Sequence, residues 1–212
     1  MKIIETNGIT YLEEFDCCSE WYWGTNYTNG DLYEAEDIFL SGKQIEPNRL
    51  IFVHYPDGKV FEPIKSEINQ YFGISTYSNG SIYILLVSFE EKMIRVYQCS
   101  ADMRETVLVV ELPLSVVKDC YNLKLDGSPL MLTRQGAENL FQIMWPEQVK
   151  FDIGERESFC FKRNDKLYFS EWHEDPNYRE EINIREYPTG KLLEKIPGAE
   201  RTMPDGQSWI LR

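Results

Sequence analysis

Tyr27-Thr28-Asn29-Gly30-Asp31-Leu32-Tyr33 returns as Tyr77-Ser78-Asn79-Gly80-Ser81-Ile82-Tyr83. Looser copies follow at Leu125-Asp126-Gly127-Ser128-Pro129-Leu130-Met131, Arg163-Asn164-Asp165-Lys166-Leu167-Tyr168 and Pro204-Asp205-Gly206-Gln207-Ser208-Trp209. Asn-Gly and Asp-Gly accept the positive φ that a tight turn between antiparallel strands requires. The five turns begin at 29, 79, 126, 164 and 205, at intervals of 50, 47, 38 and 41 residues.

A second series of turns lies between members of the first. Tyr55-Pro56-Asp57-Gly58-Lys59-Val60-Phe61 and Tyr187-Pro188-Thr189-Gly190-Lys191-Leu192-Leu193 are its clearest members. Phe89–Met93 and Gln135–Leu140 take the matching places in two further units. Two hairpins per unit give four strands, and a period of about 40–50 residues with four strands is the arithmetic of a β-propeller. The units run approximately 18–64, 68–113, 117–153 and 156–197, and a fifth, 199–212, stops after one hairpin. Lys2–Leu12 has the form of Tyr55–Ile64, so residues 1–15 are expected to complete the last blade. A ring closed in that way hides its edge strands. The fold expected over 1–212 is one all-β domain, a five-bladed propeller of four-stranded antiparallel blades. A two-sheet sandwich or open meander is the alternative, since such turns occur in any antiparallel protein.

Composition fits that class. Aromatic residues make up 14% of 212, and Ile82–Phe89 and Thr106–Leu112 read as buried strands because they are short, apolar and β-branched. Helical periodicity is nearly absent, with Glu13–Cys18 and Ala101–Glu105 its best and very short candidates. The net charge of −13 argues against nucleic acid and against an anionic membrane surface, both of which call for basic patches. No apolar run has the length of a signal peptide core or a membrane span. Five cysteines without CxxC spacing suit reduced thiols and a cytoplasmic protein.

The chemistry-bearing motifs are mostly missing. The two histidines, His54 and His173, fall in different units and read as strand or surface residues rather than metal ligands. There is no phosphate-binding loop, no GxGxxG and no GxSxG elbow. Neither a metal nor a cofactor is expected.

One constellation follows from the expected fold, in which the first strand of each blade lines the central channel. Those strands are read as Glu20–Tyr27, Gln70–Tyr77, Asp119–Leu125, Glu157–Lys162 and Glu200–Met203. Glu20, Asp119, Glu157 and Glu200, with Gln70, would ring one mouth of the channel, beside Trp21 and Tyr71 as aromatic platforms. Carboxylates beside rings suit a sugar, whose hydroxyls bond to the acids while its faces stack. The structural alternative is that the rings are core between blades and the acids face solvent.

The turn pattern resembles five-bladed propellers along essentially the whole chain, while the Gly-His and Trp-Asp pairing of WD repeats is missing. Families of that blade number include the arabinanase and levansucrase types of glycoside hydrolase and a sugar-binding lectin. The resemblance to them extends only to blade number. It implies a fold and leaves two functions: a non-enzymatic cytoplasmic domain that binds a protein partner or small ligand, or a carbohydrate-active protein using the channel acids.

Overall fold

The computed structural model describes residues 1–100, 102–203 and 205–212. The turn at Pro204 and the start of the stretch Ala101–Glu105 thus fall outside the described residues. The chain divides into two compact units, Met1–Cys120 and Tyr121–Arg212.

In the first unit, β1 (Glu13–Phe15), β2 (Cys18–Thr25), β3 (Leu50–His54) and β4 (Lys59–Phe61) form one antiparallel sheet in chain order. A helix, α1 (Leu32–Leu40), lies between β2 and β3. The second sheet contains β5 (Gln70–Phe72), β6 (Thr76–Ser78), β7 (Ser81–Ser88), β8 (Met93–Cys99) and β9 (Thr106–Pro113). Both β5 and β6 pair with β7, so together they act as one interrupted first strand. Ile82, Ile84 and Leu86 project from one side of β7, two residues apart, and bury against Phe15, Trp23, Leu50 and Phe52 of the first sheet.

In the second unit, β10 (Leu123–Gly127), β11 (Leu130–Gly136), β12 (Leu140–Trp145) and β13 (Val149–Asp152) form a meander. A further meander comprises β14 (Glu157–Arg163), β15 (Lys166–His173), β16 (Arg179–Glu186) and β17 (Leu192–Pro197). Phe141 and Ile143 meet Phe159, Leu167 and Phe169 in the core of this unit. The hairpin β18 (Ala199–Thr202) and β19 (Ser208–Leu211) is a two-stranded sheet. Consecutive four-stranded antiparallel meanders are the building unit of a propeller, and the fold is all-β and propeller-like.

Three expectations are corrected. Asn29-Gly30 does not turn between strands; it leads into α1. Asp31 accepts a hydrogen bond from the Glu34 amide at 2.8 Å, and Glu34 Oε2 accepts one from the Asp31 amide at 2.9 Å, a reciprocal cap that starts a helix. The segment expected as the first strand, Glu20–Tyr27, falls largely in β2 (Cys18–Thr25), the second strand of its sheet, because β1 precedes it across a tight turn with Cys17 at φ 61.

Residues 1–15 were expected beside the hairpin at 199–211. Residues 1–12 contain no strand, and Glu13–Phe15 pairs with β2 because the turn at Asp16-Cys17 folds it back there. Ile9 instead buries its side chain against Ile51 and Val53 of β3.

Lastly, the second turn series mixes two connections. Tyr55–Gly58 and Tyr187–Gly190 join third to fourth strands, whereas Phe89–Lys92 and the turn before Leu140 join second to third. Every inner strand of a meander belongs to two hairpins, so a turn signature does not reveal which one it closes.

Candidate functional site

The residues expected at a channel mouth occupy different settings. In the first unit, Glu20 is exposed on β2, and its carbonyl accepts from the Tyr55 amide at 2.8 Å. Trp21 is half-buried, with its ring 4.8 Å from that of His54 and 5.6 Å from that of Phe61. As neighbours on a strand, Glu20 and Trp21 project to opposite faces. Tyr71 is fully buried; its hydroxyl donates to the Gly30 carbonyl at 2.7 Å and accepts from the Asn29 amide at 3.1 Å. Asp119 precedes β10 outside any strand, and its charge is felt by Glu36.

In the second unit, Glu157 begins β14 and is 2% exposed. Arg185 clamps it with Nη2 at 2.7 Å and Nε at 3.1 Å, and Asn183 Nδ2 donates to it at 2.6 Å. Glu200 is half-buried on β18 and accepts from the Thr202 hydroxyl at 3.0 Å. The side-chain hydrogen bonds of Tyr71, Glu157 and Glu200 thus go to different partners.

Two other features stand out. The first is β9, the outer strand of the second sheet, paired on one side only, to β8. Its sequence, Thr-Val-Leu-Val-Val-Glu-Leu-Pro, has one charge in eight residues. Its register against β8 shifts between Val96 and Tyr97, and Val107 and Leu108 are 64% and 47% exposed. Strand edges in monomeric proteins are normally blunted by charge or cover, so an apolar edge of this kind is unusual.

The second feature is a polar network across β14–β17. Glu157, Glu171 and Glu181 stand side by side in register on three adjacent strands. Such a row of like charges is unfavourable unless cations offset it. Arg185 serves Glu157, Lys195 lies 2.6 Å from Glu171 Oε2, and Arg179 lies 3.7 Å from Glu181. Burial raises the Glu171 pKa, but hydrogen bonds from Lys195 and Asn183 outweigh it and hold the carboxyl below its ordinary value. His173 completes the group. Sequence reasoning singled out Glu157, set His173 aside as a strand or surface residue, and missed Glu171 and Glu181. Their signal is Glu171-x-His173, two side chains on one face of a strand, followed across a hairpin by Glu181.

The class defined by these elements is a propeller-like all-β chain with an apolar sheet edge and a charged sheet face. No protein-family model matches its sequence, and no curated protein matches it. Among solved structures it is similar to the β-propeller domain of the Trilobed protease from Pyrococcus furiosus, which has an open velcro topology. That alignment has 13% identity and a TM-score of 0.47, covering 89% of this chain and 58% of the other. It is also similar to an acylaminoacyl peptidase in complex with Z-Gly-Gly-Phe-chloromethyl ketone, with 13% identity and a TM-score of 0.48, over 92% of this chain and 34% of that one. The chain thus spans less than two thirds of the length of either. Among the described residues, no helix is long and apolar enough to cross a membrane.

Proposed function

We propose that this chain is a non-enzymatic protein-interaction domain of propeller type, and that β9 is its docking edge. The observation that carries the reading is the exposed pair Val107 and Leu108 on a strand whose outer side has no strand partner among the described residues. An extended segment of another protein can add to such an edge, drawing affinity from main-chain hydrogen bonds and specificity from alternate side chains. With a net charge of −13 on this chain, a basic segment is the favoured occupant. The blade count of five belongs to the same proposal and rests on the turn spacing of the sequence. A reducing compartment such as the cytoplasm suits five cysteines that form no disulfide.

The test is quantitative co-purification from the native host with wild-type chain and a Val107→Asp/Leu108→Asp variant as baits. Circular dichroism and thermal midpoints establish that both are folded. A protein recovered with the wild type and lost with the variant is the expected result. Recovery of every partner in equal yield by both baits would sink the assignment of β9.

A further inference from the structure

His173 has no role in the interaction edge, and its setting is unusual. Its Nε2 is shielded from solvent and has no hydrogen-bond partner. Two carboxylate oxygens face that nitrogen: Glu171 Oε1 at 3.6 Å and Glu181 Oε2 at 3.8 Å. Both distances exceed a hydrogen bond. They approach the spacing of atoms that share a metal ion, since ligands about 2.1 Å from a tetrahedral zinc stand about 3.4 Å apart. The three ligand atoms all lie within 4.8 Å of one another.

The outward-facing oxygens are held by other groups. Glu171 Oε2 accepts from Lys195 Nζ at 2.6 Å and from Asn183 Nδ2 at 2.7 Å, which turns Oε1 toward His173. Glu181 Oε1 lies 3.7 Å from Arg179 Nε, which turns Oε2 inward. Groups that orient ligands from behind are a regular part of metal sites. Lys195 Nζ is also 3.9 Å from Glu181 Oε2, so a cation entering here must compete with an ammonium for that oxygen.

From this geometry we infer that Glu171, His173 and Glu181 form a mononuclear site for a first-row divalent cation, with zinc the best match to one imidazole and two carboxylates. The three side chains are 17%, 18% and 25% exposed, so the cluster lies near the surface although the Nε2 atom itself is shielded. Two ligands come from β15 and one from β16, so the ion would staple two strands whose facing glutamates otherwise repel. This inference goes beyond the docking edge, which lies on another sheet and can fail independently.

The test is titration of the metal-depleted full chain with zinc(II), followed by calorimetry and by the imidazole nitrogen resonances, which two histidines make easy to assign. The expected result is one equivalent bound, with the shift at His173 and none at His54. His173→Ala and Glu181→Gln should each weaken binding by more than about ten-fold with unchanged circular dichroism. No saturable uptake would overturn the site. So would uptake undiminished in His173→Ala, the outcome if cysteine thiols hold the metal. Should the variants fail to fold, the wild type alone decides: a His173 resonance that does not move at saturating zinc refutes the proposal.

Discussion

Glu36 is the buried acid of α1, 6% exposed, and its Oε2 accepts the Cys120 amide at 2.6 Å. Burial pushes its pKa above the ordinary value, the Cys120 hydrogen bond pulls it partly back, and the charge of Asp119 adds to the rise. A carboxyl whose pKa is higher folded than unfolded favours folding while protonated. Its contribution is therefore present below the unfolded pKa and is lost as pH rises through the folded one. Glu36→Gln keeps an acceptor for the Cys120 amide and removes the charge. The variant should be more stable than wild type at neutral pH, with the gap closing under acid. Urea midpoints of both proteins at roughly pH 4 and pH 7 measure this. A gap that widens toward acid would contradict the assignment. Glu157 shows a different solution to the same problem. Equally buried, it keeps a cation and an amide within hydrogen-bond reach. Neither setting is visible in the sequence, where Glu36 and Glu157 are two among 35 acidic residues. Burial and partners come from chain positions as far apart as 36 and 120.

Helix α1 is hidden by the residues just before it. Asn29-Gly30 is a strong turn signal, and the alternation that surrounds it in the second copy invited the same reading for the first. The residues that decide otherwise are Asp31 and Glu34, the two ends of a capping box. Leu32, Ala35 and Glu36 then fall on one buried face, and Phe39 stacks on Phe89 with centroids 5.7 Å apart. The cap signal was legible, but a single short helix has little periodicity to set against five turn copies. Asp31→Ala should cost about 1 kcal/mol of stability, and Asp31→Asn far less, because Asn retains the side-chain acceptor. Chemical denaturation of the three proteins gives the comparison. The strands were more legible. Ile82–Phe89 reads as a strand from its β-branched run alone, and β7 spans Ser81–Ser88. The His173 cluster was not legible, because it depends on a strand register that brings Glu181 opposite Glu171. Position in the chain gives no hint of register until the connecting turn is known.

At the scale of the whole chain, the spacing of turns conveyed the succession of antiparallel sheets, since each turn type demands a particular backbone and so leaves a residue signature. It did not convey which strand each turn closes, or the fate of the N-terminal residues, because those depend on packing. The hairpin β18–β19 has a consequence of its own. Two strands alone are marginal in water, and among the described residues this pair has no third strand beside it in its sheet. Its junction with the fourth meander includes one bond, from the Gly198 amide to the Glu180 carbonyl at 2.8 Å, and Trp209 and Leu211 remain about half exposed. In β7, by contrast, hydrogen bonds run to strands on both sides, and Ile84, Leu85 and Val87 are fully buried. The backbone amides therefore keep different time. Those paired between Ala199 and Leu211 should trade their protons for deuterium through local fraying, at rates indifferent to small amounts of denaturant. Those of β7 should wait for the surrounding unit to open as a whole, and their exchange should quicken steeply with denaturant. Exchange followed residue by residue would show the two regimes side by side, and equal protection in both strands would mean that the hairpin is anchored far more firmly than its own bonds provide.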